Sequence, residues 1–509
     1  MLQAIVAAGS QLAADAGAEI ANQGGNAVDA AIAAAIASMC TELGVMAPGA
    51  SGFIVIWPPG EEPIAIDAYA EMPGRGLSPE RLQVPPDWAT IDYGGSMTTG
   101  VGYRAIATPG IFAGLSQASA QYGRRPWSDL LQPTIQYVEQ GFPLSACSAE
   151  YLSYSHKAIF GWHPDSARTI RHPTGRCLIA GETVRIPELA RSLEQIAQQG
   201  TTTLYGGDLG QRITDEIQAK QGLLTLSDLQ AYEAINRVPL QVKFGDWQLA
   251  INPPPAVGGT CLAAMLLLCD RASIADWSAA SVAQLAKIQQ TVLHYRHHNL
   301  DCSHDNARAA AALLERAQVG DLLQHKLQSP STIHISATDS QGLACSITAS
   351  AGYGSGAMIA GTGLWLNNSL GELELRSAKS SPLTPGTRLI SNMAPTIARR
   401  PDGAVMAIGS PGASRITTAI AQVLLNYIQG GYALPEAVAQ PRLHVEISEE
   451  TPTVSFEQGI PIDAIANWQT RPFPALHMYF GGVQATLWDP QEGLSAVADP
   501  RRAGGVAQG

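Results

Sequence analysis

Two adjacent hydroxyl residues, Ser331 and Thr332, follow Pro330 and lead into the alternating run His334-Ile-Ser-Ala337. A side-chain hydroxyl is a weak nucleophile near neutral pH unless a base adjoins it. Threonine has a route that needs no second side chain. Cutting the peptide bond between Ser331 and Thr332 frees an α-amino group within reach of that residue's own hydroxyl, and such an amine has a pKa of about 7.7–8.0, suited to general-base work. The residue is then nucleophile and base together. The mouth of a strand suits this arrangement, because the sheet holds the new terminus while the turn side stays open to substrate. Read alone, the same pair also fits a solvated turn followed by a strand-favouring threonine. The elements around it have to decide.

HISA alternates like a half-buried strand, Gly342 closes the polar TDSQG turn, and Leu343 to Ile347 begins a second apolar run, so a hairpin is expected after Thr332. Residues 11–40 read as two helices broken at Gly24 and Gly25; the second, VDAAIAAAIASMC, lacks bulk and calls for close packing. A glycine turn at Gly49–Gly52 feeds the buried strand FIVIW, and PIAIDAY after PPGEE completes a hairpin. From about residue 105 to 300 the patterns are mostly helical, punctuated by TPG, RRPW and NPPPAVGG at 252–259, the last a rigid connection. From Ser329 onward HISA, LACSI, GLWLNN, APTIARR, AVMAIGS and TVSF read as strands, with one helix after Ser410-Pro-Gly. Strands at both ends of the chain with helices between them predict an α+β unit, a mixed sheet sandwiched by helices and built from discontinuous segments.

Composition narrows the partners. Of the 509 residues 46% are hydrophobic and 15% charged, and the net charge of −12 is spread without long runs, which excludes a nucleic-acid or anionic-membrane surface and favours small molecules. The densest apolar stretch, Cys261 to Cys269, is about half of what a bilayer crossing needs. The opening residues lack the positive charge of a secretory leader, so a cytoplasmic location is expected. Seven scattered cysteines without CxxC spacing read as buried small hydrophobes. HYRHHNLDCSHD, 294–305, places His294 and His298 four residues apart on one helical face, but the run closes an amphipathic helix and reads as its polar end rather than as a metal site.

TIHISATD, GYGSG, AGTGLWLNN, SNMAPTI, GSPGASR and ADPRRAGG resemble, in this order, small-subunit landmarks of the γ-glutamyltranspeptidases, which are N-terminal-nucleophile hydrolases. GGNAVDAAIA, TPG, GLLTLSDLQAYEA and PPPAVGG resemble the large-subunit landmarks, so the likeness covers nearly the whole chain. It implies a four-layer αββα sandwich and synthesis as one precursor. It also implies self-cleavage between Ser331 and Thr332 into a large subunit 1–331 and a small subunit 332–509, both parts of one globular unit. It further implies Thr332 as nucleophile, Ser350 as an assisting hydroxyl with Thr348 in the same strand, and the backbone N–H groups of Gly412 and Ala413 as an oxyanion hole. The resemblance implies a small amide substrate, γ-glutamyl by default, with no cofactor and no metal; the alternatives are the same chemistry on another, for example oxamate-like, acyl group, or an uncleaved, non-catalytic homologue that serves as a binder or scaffold.

Substrate recognition departs from the pattern. The family's carboxylate-binding arginine precedes a proline, whereas IDAYAEMP offers Tyr69 and no arginine before Arg75, beyond Pro73. The acidic residue that holds the substrate's α-amino group falls at Glu372, one methylene longer than the family's aspartate, and the paired serines become Ser391 and Asn392. SAGYG is about two residues shorter than the family's loop and lacks its asparagine, and the glycine run before FIVIW shrinks to PGASG. Loss of a bidentate arginine removes charge-assisted hydrogen bonds, so the expectation is a retained catalytic centre with a changed acyl pocket.

Overall fold

The computed structural model describes residues 2–92, 96–274, 276–301, 303, 305–319, 332–372, 384–447, 452–466 and 468–509. Its centre is a pair of facing antiparallel sheets. In chain order their strands are β1 (Ala4–Ala8), β2 (Ser51–Trp57), β3 (Ile64–Ala68), β4 (Ile235–Arg237), β5 (Leu240–Phe244), β6 (Trp247–Ile251) and β7 (Ile333–Asp339). They continue with β8 (Ala344–Ser350), β9 (Thr396–Arg399), β10 (Val405–Gly409), β11 (Gln484–Asp489), β12 (Gly493–Ala498) and β13 (Gly505–Gln508). The seven-stranded sheet runs β13-β1-β7-β8-β2-β3-β4, the six-stranded sheet β12-β11-β10-β9-β6-β5. Each sheet takes strands from both sides of Thr332, so neither the portion before it nor the portion after it can complete a sheet alone.

Period-two alternation assigns the faces of β7. Ile333, Ile335 and Ala337 join the cluster formed with helices α1 (Gln11–Asn22) and α2 (Ala27–Thr41), while Thr332, His334, Ser336 and Thr338 point to the other sheet. α2 is buried along its whole length because its alanines admit neighbours on every side. α1 crosses it so closely that a Cβ on Gly17 would lie 2.7 Å from the Ala30 carbonyl oxygen. Fully buried Ile54, Ile335 and Ile347 each contribute about 1.5–3 kcal/mol to this layer. On the far side, Met406 and Ile408 of β10 pack with α3 (Val257–Ala272), α4 (Ala279–Tyr295) and α5 (Arg415–Leu424). Between the sheets lie Val55, Ala65, Ala250, Ile397, Val405 and Ala407 at one end and polar side chains at the other. The order is helix, sheet, sheet, helix, the expected αββα sandwich. Among the described residues no helix is long and apolar enough to cross a membrane.

Three expectations need correction. Residues 240–251, taken as part of a helical stretch, form the β5–β6 hairpin. A second ribbon, Asp87–Asp92 paired with Ser96–Val101, lies outside the predicted strands, as do β1, β4, β11, β12 and β13 of the central sheets. GLWLNN is not a ladder strand: it makes only isolated bridges, and the side chains of Asn367 and Asn368 donate to the Gly49 carbonyl and to Thr99 of the second ribbon.

Candidate active site

β7 and β8 pair with His334 opposite Thr348 and Ile333 opposite Ala349, so one further step in the same register sets Thr332 facing Ser350. Ser350 in turn faces Ser51 on β2. Three hydroxyl residues thus stand in a row across neighbouring strands, with Thr332 and Ser350 each 4% exposed. Ser350 Oγ accepts from the Gly352 N–H at 2.9 Å, which turns the chain sharply after β8. Ser51 Oγ accepts from the Gly110 N–H at 3.0 Å and so ties the TPG segment to this row. Ser51 was not singled out from the sequence; its signal was its place at the head of FIVIW. Ser331 lies outside the described residues.

β10 ends at Gly409, whose missing side chain makes room for the His334 ring: a Cβ there would lie 2.3 Å from it. The chain then turns through Ser410–Ser414 into α5. Gly412 has φ 117° and Ala413 φ 64°, the second a left-handed conformation that costs a non-glycine residue about 1–2 kcal/mol. Such strain persists only where the surroundings over-determine it. Here the Gly482 N–H donates to Ser410 Oγ at 3.1 Å, Arg415 Nε donates to the Tyr479 carbonyl at 3.0 Å, and a Cβ on Gly412 would meet Gly481 at 2.9 Å. Among the described residues the Gly412 and Ala413 N–H groups have no hydrogen-bond partner. Unpaired donors at a helix start suit a developing negative charge on oxygen.

The predicted substrate residues converge beyond this turn. Tyr69 stacks on Phe53 at 5.3 Å and neighbours the Ser391 side chain, in a cluster with Leu370, Leu389 and Met393. Burial, then the nearby Glu372 carboxyl, keeps its phenol protonated. The tyrosine is fixed from behind: its carbonyl accepts from Tyr232 Oη at 2.7 Å and Arg388 Nη1 at 2.6 Å, and its N–H donates to Asp67 at 3.0 Å. Ser391 and Asn392 run beside the start of α3, where the Val257 and Gly258 N–H groups donate to the Ser391 carbonyl at 2.9 and 3.1 Å. A Cβ on Gly258 would lie 2.0 Å from the Asn392 carbonyl oxygen, so PPPAVGG is a connection built for this close approach.

Glu372 is 5% exposed, and its Oε1 has no hydrogen-bond partner among the described residues. Burial alone pushes its carboxyl up to about 8. It packs against Gly352, where a Cβ would lie 2.8 Å from Oε1, and so sits just past Ser350. Arg75 does not reach this pocket. Its guanidinium pairs with Asp228 at 3.3 Å and Glu71 at 3.4 Å, and its N–H also donates to Asp228 at 3.0 Å. Arg388 is likewise occupied, by Tyr69 O, Asp67 and Glu71. His294 and His298 stack face to face at 4.8 Å, and among the described residues no group of three His, Cys, Asp or Glu is arranged to hold a metal; Cys302 and His304 lie outside them.

A sequence profile described as Gamma-glutamyltranspeptidase matches residues 13–509. The chain belongs to the gamma-glutamyltranspeptidase family. It is therefore an enzyme of the N-terminal-nucleophile hydrolase class. Among relatives in this family, the Glutathione hydrolase proenzyme of Bacillus subtilis (strain 168) is 26% identical over 541 residues, covering 98% of this chain and 90% of its own length. The Glutathione hydrolase 5 proenzyme of Mus musculus is 30% identical over 557 residues, covering 99% and 92%. The Acylase ACY 1 proenzyme of Pseudomonas sp. (strain V22) is 27% identical over 515 residues, covering 96% and 90%. In fold, the chain matches the cephalosporin acylase from Bacillus halodurans with a TM-score of 0.77 at 23% identity, over 99% of this chain and 95% of that one. Gamma-glutamyltranspeptidase-family members similar to this chain thus carry both hydrolase and acylase names.

Proposed function

We propose that the protein is a self-cleaving N-terminal-threonine amidohydrolase whose acyl group carries an amine but no carboxylate at the position a glutamyl group would place one. Proenzyme relatives support the cleavage. Thr332 Oγ attacks the Ser331 carbonyl, the peptide nitrogen leaves as the Thr332 α-amine, and water hydrolyses the resulting ester to free the Ser331 carboxylate. In turnover that amine takes the Oγ proton as Oγ attacks the substrate amide. The Gly412 and Ala413 N–H groups stabilise the oxyanion, Ser350 supports the hydroxyl, and the proton passes to the departing amine. Water, or an amine acceptor, then attacks the ester and restores the hydroxyl.

The observation that carries the acyl preference is the pairing of Tyr69 with Glu372. A buried acid, one of whose oxygens has no hydrogen-bond partner among the described residues, is present to meet an ammonium, while the place of a carboxylate clamp is taken by a fixed phenol within an apolar cluster. Three p-nitroanilides separate the possibilities: 4-aminobutyryl keeps only the amine, glutaryl keeps only the carboxylate, and γ-glutamyl has both. The 4-aminobutyryl compound is expected to have the highest kcat/KM, and Tyr69→Arg is expected to raise γ-glutamyl hydrolysis about tenfold or more, the value of one charge-assisted bond. A native preference for the γ-glutamyl compound would return the default reading, γ-glutamyl hydrolysis, which the retained Glu372, Ser391 and Asn392 favour.

A further inference from the structure

The layer beneath Thr332 and Ser350 holds a histidine that the chemistry above does not use. His334 is fully buried between the sheets. Its Nδ1 lies 2.8 Å from Thr348 Oγ1 and its Nε2 2.9 Å from Ser336 Oγ. Ser336 has a single hydroxyl hydrogen, and that hydrogen is donated to the Gln484 carbonyl at 3.0 Å. Toward the ring, then, Ser336 accepts, and Nε2 carries the hydrogen. Burial depresses the imidazole's basicity to a pKa of about 3, so the ring is neutral and Nδ1 is bare. Nδ1 accepts from Thr348. The chain of donors runs in one direction: Thr348 to His334, His334 to Ser336, Ser336 to Gln484.

These bonds join three strands, β7 through His334 and Ser336, β8 through Thr348, and β11 through Gln484. The ring also touches a fourth, since Gly409 at the end of β10 has no side chain and His334 fills its place. In the β7–β8 register the His334–Thr348 pair is the next inward-facing step after Thr332 and Ser350. Gly409 is three residues before Gly412, at the foot of the strained turn. One side chain therefore locks together the nucleophile's strand, the strand of the second hydroxyl and the start of the turn that presents the N–H donors. Thr348 Oγ1 has its hydrogen committed to this ring.

We propose that His334 is a positioning residue for catalysis, setting Thr332 relative to the Gly412–Ala413 turn without touching substrate. This rests on the reading of Thr332 as the nucleophile. A group that acts by alignment in the transition state lowers kcat and leaves KM in place, because substrate binding does not use it.

The test compares native protein, His334→Leu, His334→Gln and Thr348→Val for the half-time of self-cleavage and for kcat and KM with 4-aminobutyryl- and γ-glutamyl-p-nitroanilide. His334→Leu is expected to slow self-cleavage and lower kcat at least 100-fold with KM within threefold. Glutamine keeps an acceptor and a donor on one side chain and is expected to recover at least tenfold of that loss. Thr348→Val, which leaves the Gly409 contact intact, is expected to lower kcat about tenfold. A folded His334→Leu or Thr348→Val with kcat within threefold of native overturns the proposal. Should His334→Leu fail to fold, Thr348→Val carries the kinetic arm. In native protein labelled with nitrogen-15 histidine, a His334 ring protonated at Nδ1 rather than Nε2 overturns the proposal without any variant. Native protein that neither self-cleaves nor hydrolyses either anilide overturns the reading of Thr332 along with this one, whereas activity with an unaffected His334→Leu overturns this one alone.

Discussion

Replacing Glu372 with glutamine removes one ionisable group from the acyl pocket, and the structure fixes both the sign and the size of the effect. Burial raises the carboxyl from its ordinary 4.5 to about 8. Below pH 4.5 the acid is protonated in folded and unfolded chains alike, and its full contribution is present. Between pH 4.5 and 8 the unfolded chain ionises while the folded chain does not, so stability is lost steadily, and above pH 8 the loss is complete. At about 1.4 kcal/mol per pKa unit, the loss is about 3–5 kcal/mol. Glutamine does not titrate. The variant is therefore expected to match native protein at pH 4 and to exceed it by about 3–5 kcal/mol at pH 9. With an unfolding entropy of about 2.1 cal/mol/K per residue, a chain of 509 residues changes its Tm by roughly 1 °C per kcal/mol. Scanning calorimetry at several pH values should thus show a Tm difference opening from near zero to about 3–5 °C. Parallel Tm curves for the two proteins would refute the argument that Glu372 is buried as a neutral acid. The same variant should lose affinity for amine-bearing acyl groups while keeping it for glutaryl ones.

Two other perturbations follow from the same geometry. Asp499, fully buried, pairs with Arg442 at 2.7 Å and Arg501 at 3.2 Å; burial alone would raise its pKa, but the two guanidinium groups hold it below the ordinary 3.8. Asp499→Asn leaves buried charge uncompensated and is expected to cost about 3–5 kcal/mol, read as a Tm loss of similar size in degrees near pH 7 that disappears as pH falls below 3.8. Ala413→Gly removes the left-handed strain and is expected to stabilise the protein by about 1 kcal/mol with kcat unchanged, since the backbone N–H is kept; calorimetry and anilide kinetics on the same sample check both parts.

The parts of the fold legible in the sequence were those set by local rules. The hairpin after Thr332 carried strict alternation and a glycine turn, and Gly342 takes the positive φ of 81° that such a turn favours. The break at Gly24 and Gly25 and the helix start after Ser410-Pro-Gly were marked by residues whose backbone needs are visible in their type. The β5–β6 hairpin was missed although Gly245-Asp246 between its short runs, LQVKF and WQLAI, is a two-residue turn signal and Gly245 takes a positive φ of 58°; the runs sit between long helical patterns, and these set the reading. GLWLNN misled in the other direction: its apolar alternation is real, but Asn367 bonds to Gly49 and Ala107, segments about 320 and 260 residues away in sequence, and no local pattern encodes that. Within the site, Tyr69 and Glu372 were found from order along the chain, whereas the fate of Arg75 depended on Asp228, 153 residues distant. The directional bonds of His334 required the second sheet, because its end point, the Gln484 carbonyl, belongs to β11.

The central claim is that Thr332 becomes an N-terminal residue. Intact-mass spectrometry of purified, amide-hydrolysing protein tests it most directly, with a Thr332→Ala variant alongside. Two fragments of about 35 and 19 kDa, in proportion to the 331 and 178 residues on either side of the cut, with the smaller beginning at Thr332, are expected from native protein, and one inactive chain of 53.5 kDa from the variant. An active native protein in which residues 331 and 332 are still joined would contradict the account.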